Sequence, residues 1–83
     1  MTGTRVLAVR ERQVAAGERG PYLAGIPERS ARATAARAHF WVFEHHTESG
    51  RFLEFTEGAS TEAVSALLDG APPDSLWREI QGG

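Results

Sequence analysis

Two aromatic, β-favouring runs, residues 39–46 and 51–57, flank the short segment Glu48-Ser49-Gly50. Phe40, Trp41, Phe43, Phe52 and Phe55 lie in these runs, so most of the chain's aromatic bulk sits in one predicted β-hairpin. A three-residue loop built from a type I turn and a left-handed Gly suits Glu48-Ser49-Gly50. That register sets His45 opposite Leu53, Glu44 opposite Glu54, Phe43 opposite Phe55, Val42 opposite Thr56 and Trp41 opposite Glu57. Side chains alternate between faces along a strand. One face then carries Trp41, Phe43, His45, Leu53 and Phe55, and the other Phe40, Val42, Glu44, His46, Phe52, Glu54 and Thr56. A two- or four-residue loop would place Glu54 with Trp41 and Phe43, a poor core.

Around the hairpin the pattern changes period. Arg5–Glu11 reads as a short strand, ended by Ala15-Ala16-Gly17. A helix is expected from about 18 to 37, with Tyr22, Leu23, Ile26, Ser30 and Ala33 inward and Arg29, Arg32 and Arg37 outward. Pro21 suits a first helical turn, whereas Pro27 predicts a kink or restart near Gly25-Ile26. After Gly58, Ser60 is a good N-cap for a helix over 61–68 with Ala63, Val64, Leu67 and Leu68 on its apolar side. Asp69–Asp74 is a turn, residues 75–80 a short strand or single helical turn with alternation favouring the strand, and Gln81-Gly82-Gly83 a loose end.

The order β-α-β-β-α-β is the ferredoxin-like, split βαβ pattern, an α+β fold whose four-stranded antiparallel-type sheet carries two helices on one face. If the helices cover Trp41, Phe43, Leu53 and Phe55, the other face leaves Phe40, Val42 and Phe52 exposed. Such an apolar face predicts a face-to-face homodimer enclosing a cavity lined by Phe40, Val42, Phe52 and Thr56 and by the two glutamates.

At 83 residues the chain is one domain with a marginal core of its own. It has no cysteine, which fits a reducing cytoplasm and excludes disulfides and thiolate metal sites. No apolar run approaches a membrane span, and the first residues lack the form of a signal peptide, so a cytoplasmic protein without membrane contact is expected. All nine basic residues are arginines, scattered among glutamates, and this gives no polyanion stripe and no nucleic-acid partner.

The candidate chemistry is a carboxylate pair. Glu44 and Glu54 side by side in an apolar cavity would repel, and desolvation would raise at least one pKa, which suits general acid/base work with His46 assisting; the alternative is that an arginine, such as Arg10 or one from the partner subunit, pairs with them as a structural ion pair. Adjacent His45 and His46 point to opposite faces and cannot chelate together, so no metal is assigned. Phe40 and Phe52 could hold a planar apolar ligand. There is no phosphate-binding glycine loop, nucleophile elbow or zinc spacing, and no cofactor is expected.

The short first strand, the Gly-Glu-Arg helix start, Phe40-Trp41-Val42-Phe43-Glu44, the Gly turn and Arg51-Phe52-Leu53-Glu54-Phe55-Thr56-Glu57 resemble the dimeric α/β-barrel superfamily over roughly residues 5–80. The antibiotic-biosynthesis-monooxygenase-like branch is nearest in style. That resemblance implies a dimeric barrel and a range of roles: cofactor-free oxygenation of aromatic polyketides, haem degradation, isomerisation, and small proteins with no established activity. No family catalytic residue carries over, because the chain has no Asn and one Tyr. The expected function is a small cofactor-independent enzyme acting on a small hydrophobic or aromatic molecule, of isomerase, lyase, cyclase or monooxygenase type. The alternative is a dimeric protein that binds a small ligand without turnover or serves a stress-related role.

Overall fold

The computed structural model describes residues 4–80, so the expected loose end at Gln81-Gly82-Gly83 lies outside the described residues. Strand β1 (Val6–Gln13) is followed by a 3-10 turn (Ala16–Glu18) and two helices, α1 (Arg19–Ala24) and α2 (Ile26–Ala35). Strands β2 (His39–Glu44) and β3 (Arg51–Gly58) form the hairpin, and α3 (Thr61–Leu67) leads to β4 (Ser75–Arg78). The sheet is antiparallel with order β2-β3-β1-β4, so β3 separates β1 from β2. α2 and α3 contact its same face, in an α+β arrangement consistent with a ferredoxin-like fold. Among the described residues no helix is long and apolar enough to cross a membrane.

The helix break falls where Pro27 placed it. Gly25 caps α1, and Pro27 occupies the first turn of α2, where its missing N–H and fixed φ cost nothing. Ser60 caps α3 by accepting a hydrogen bond from the Ala63 N–H at 3.0 Å. Val64 of α3 is fully buried and rests over Gly58, where an added Cβ would meet its Cγ2 at 3.1 Å. Ala8, Ala33 and Ala38 are buried too, so small side chains bring the helices close to the sheet.

The hairpin departs from the expected register by two residues. Glu44 pairs with Phe52, Phe43 with Leu53, Val42 with Glu54, Trp41 with Phe55, Phe40 with Thr56 and His39 with Glu57. The strands stop at Glu44 and Arg51, and the loop between them is longer than the bulged turn predicts. The physical reason lies in the tip. His45 Nδ1 accepts from the Thr47 and Glu48 N–H groups, and Glu44 accepts from the Gly50 N–H, so side chains replace the last ladder bonds. A slip of two residues preserves alternation, so the membership of the two faces survives.

What changes is which face the helices cover. They cover Phe40, Val42, Glu44, Phe52, Glu54 and Thr56, joined by Ala8, Arg10 and Arg12 from β1. Trp41, Phe43, Leu53 and Phe55 lie on the open face, with Leu7, Val9 and Trp77 beside them. The expectation of a Trp41 face under the helices, and of a Phe40 face left for a partner, is therefore reversed. Carboxylates on a covered face need cations, and α1 and α2 supply Arg19 and Arg29 at that surface.

Gly50 takes φ of 85°, as the turn chemistry predicts, and the Val14 N–H donates to its carbonyl at 2.8 Å. A Cβ at Gly50 would collide with the carbonyl oxygen of Val14. Gly50→Ala should therefore destabilise the protein by about 1–3 kcal/mol in urea unfolding, through the left-handed backbone and the collision together. A change below about 0.5 kcal/mol would mean that the hairpin tip is not held against the end of β1.

Candidate functional site

Glu54 is 1% exposed, in the middle of the covered face. Arg29 reaches it from α2 as a fork, Nη1 to Oε2 at 2.9 Å and Nη2 to Oε1 at 3.1 Å. The Tyr22 hydroxyl donates to Oε2 at 2.5 Å. Arg10 and Arg12, adjacent on the same face of β1, approach to 4.0 and 3.9 Å. The Arg29 guanidinium also lies 4.4 Å from the Phe40 ring centroid, and the Tyr22 ring packs at 4.5 Å against Phe52. Burial pushes the Glu54 carboxyl up, but the hydrogen bonds from Arg29 and Tyr22 and the charges of Arg29 and Arg12 outweigh it, and the net shift is downward. The Tyr22 phenol is raised, first by burial and then by its bond to Glu54.

Glu44 is held differently. Arg19 donates through Nε at 3.0 Å and Nη2 at 2.6 Å, and the Gly50 N–H donates at 2.9 Å. The Arg19 bonds, followed by that of Gly50, lower its pKa to about 2. So the two carboxylates share a face but not a site. Val42 stands opposite Glu54, and each carboxylate has its own arginine. The expected raised pKa is corrected to two lowered ones, because cations from the helices replace mutual repulsion. His46 lies in the exposed loop beyond β2, away from its expected place at a cavity mouth. Phe52 and Thr56 are buried in the monomer, with Phe40 and Val42 half-buried, and they line the covered layer instead of a dimer cavity.

Arg29 also departs from its expected outward position. A signal for it was present: residues 22, 26, 29 and 33 follow one another at helical spacing, and Arg29 stands within the stripe assigned to the core. A charged residue inside such a stripe points to a buried opposite charge on the surface it covers.

The open face is organised in rows across the sheet. His39, Glu57, Leu7 and Trp77 form one row, Trp41, Phe55, Val9 and Ser75 the next, and Phe43, Leu53 and Glu11 a third. Trp41 is 47% exposed, and Phe43 and Trp77 are each 59% exposed. Phe43 meets Phe55 edge to face at 5.6 Å. Ion pairs close both ends of this apolar band. Arg51 binds Glu11 at 2.7 Å at one end, and at the other Arg5 binds Glu57 through Nε at 2.8 Å and Nη2 at 2.9 Å. His39 Nδ1 lies 2.9 Å from Glu57 Oε1, and its ring stacks on Trp41 at 5.4 Å. Two hollows open beside the band. One of about 280 Å³ touches Phe43, Leu53 and Arg51, and one of about 250 Å³ touches Leu7, Glu57 and Trp77. Among the described residues no cluster of three His, Asp or Glu side chains is placed to hold a metal ion.

Loss of the Arg29 fork leaves a buried carboxylate without its principal partner. Arg29→Met should cost about 3–5 kcal/mol in chemical denaturation, whereas Arg32→Met, which breaks an exposed pair with Asp69, should cost under about 1 kcal/mol. Equal effects of the two would remove Glu54–Arg29 from its central place.

Acid should also destabilise the fold. Glu44 and Glu57 are lowered to about 2 from an ordinary 4.5, Glu57 chiefly by its hydrogen bonds from Arg5. Carboxylates lowered in the folded state contribute stability above their unfolded pKa and lose it as pH falls through the folded one. Thermal melts should drop progressively between about pH 4.5 and 2 and stay flat from pH 6 to 8 as far as these two groups are concerned. Melts that rise on acidification would contradict both ion pairs.

No protein-family model, curated protein or solved structure matches the chain, so the reading of its site rests on the geometry above.

Proposed function

We propose that this protein works as a homodimer whose two open sheet faces meet and hold a small, planar, hydrophobic molecule between them. The observation that carries this reading is the amount of aromatic bulk left outside the core. Three alanines share the core with Phe52, Val64 and Leu68, while Trp41, Phe43 and Trp77 stand in solvent on one contiguous face. An apolar band of that kind, rimmed by charge, has the anatomy of an interface. A second copy is the partner that suits it, because the rim carries both signs, Arg51 with Glu11 and Arg5 with Glu57, and a two-fold axis can set each sign against the other. Face-to-face sheets are also what the resemblance to dimeric α/β barrels implies. The hollows beside Phe43 and Trp77 supply the concave, largely apolar walls that a small ligand needs.

Glu44 and Glu54 support ligand binding over carboxylate acid/base catalysis. Each is held ionised by an arginine, so neither offers a proton near neutral pH. The cofactor-independent, monooxygenase-like enzyme expected from the hairpin would need other groups.

Sedimentation at tens of micromolar should give a dimer for the native chain and a folded monomer for Phe43→Glu, with native circular dichroism retained because Phe43 is outside the core. Ala31→Glu, on the solvent side of α2, should leave the dimer intact. 2-Naphthol should quench the tryptophan fluorescence saturably in the dimer and not in Phe43→Glu. A native chain that sediments as a monomer overturns the proposal.

A further inference from the structure

We propose that His39, oriented by Glu57, is a general base on the open face, acting on a small planar molecule with an acidic O–H or an activated C–H. The inference rests on the open face as the binding surface but not on the second copy that covers it. The geometry determines which imidazole nitrogen is free. Both oxygens of Glu57 receive bonds from Arg5, which keeps the carboxylate ionised and able only to accept. The hydrogen between His39 and Glu57 must then sit on His39 Nδ1, at 2.9 Å from Oε1. In the neutral ring that tautomer leaves the lone pair on Nε2, the orientation by which a carboxylate prepares an imidazole to take a proton.

His45 shows the opposite arrangement and serves as the internal contrast. Its Nδ1 accepts two backbone N–H groups at 3.1 Å, and its Nε2 faces Glu48 at 3.5 Å, so both nitrogens are committed within the turn. His46 lies exposed in the same loop. His45 lines the hollow beside Phe43 but has both nitrogens committed, whereas His39 stands beside an apolar floor with one nitrogen left over. Its own ring stacks on Trp41, and Phe55 and Val9 continue the row next to it. A flat apolar molecule on that row lies beside the imidazole edge. Glu57 lies between His39 and the hollow beside Trp77.

The chemistry balances without a further reactant. Nε2 takes the proton, the substrate keeps the electron pair as an anion, and the imidazolium is stabilised by the Glu57 carboxylate. Return of the same proton to another atom of the anion completes an isomerisation and restores neutral His39. With an activated ester the same base takes a proton from water as the water oxygen attacks the carbonyl carbon. The phenolate then leaves, and the imidazolium releases its proton to solvent.

Long-range proton–nitrogen NMR at pH 9 reads the tautomers directly. The native chain should show His39 as Nδ1–H and His45 as Nε2–H, and Glu57→Gln should shift His39 away from Nδ1–H. With p-nitrophenyl acetate as the probe, His39→Gln should lower the protein-dependent hydrolysis about ten-fold or more, Glu57→Gln should lower it several-fold, and His46→Gln, in the exposed loop, should leave it unchanged. His39 found as Nε2–H, or hydrolysis indifferent to His39→Gln, overturns the assignment. Sedimentation of the same samples separates this inference from the dimer: a monomer with the Nδ1–H signature and His39-dependent hydrolysis would sink the dimer and leave the base standing.

Discussion

A buried carboxylate decides this fold. Glu54 sits at the centre of the sheet, and a charge there can be covered only by an element that brings opposite charge and hydrogen bonds with it. Arg29 and Tyr22 meet that condition from two helices that Gly25 separates, so the fork and the hydroxyl converge from different segments on one acceptor. Phe40 and Phe52 pack against these same two partners, which makes the charged pair and the apolar layer one unit. With the helices committed to Glu54, the bulk on the other face has no cover among the described residues.

Much of this could be read from the residues. Ser60 before Thr61, Pro27 after Gly25, and Gly50 after a polar pair each state a local conformation, because few residue types satisfy those backbone geometries. The sorting of side chains between the two hairpin faces was legible too, since alternation survives any slip by two. The slip itself was not. It depends on His45 and Glu44 capping backbone groups in the loop, and such bonds have no periodic signature.

The choice of covered face was the consequential gap. Hydrophobicity favours burying Trp41 and Phe43, and for the hairpin in isolation that argument is sound. It fails here because burial is decided jointly with the helices, whose arginines and small residues complement a surface that mixes Phe40, Val42 and Phe52 with two carboxylates. The expected repulsion between Glu44 and Glu54 was misread for the same reason. Two glutamates on one strand face look like an acid/base pair until the cations facing them are known, while His39 and Glu57 become partners only in the register the loop imposes.

The order of strands carries a further consequence for how the chain comes to be folded. β1 holds the middle of the sheet, yet residues 6–13 pair with residues 51–58 on one side and with β4 on the other. During synthesis the first strand therefore waits, with Leu7 and Val9 unpaired, until the hairpin and then the C-terminal residues emerge. The hairpin can close early because its contacts are local. Docking of β1 closes the long segment containing α1 and α2, and it is the step at which Arg10 and Arg12 first meet Glu54. Arginines spaced along that waiting strand keep it soluble and set against pairing with its own copies, so the charge that completes the core also guards the chain before the core exists.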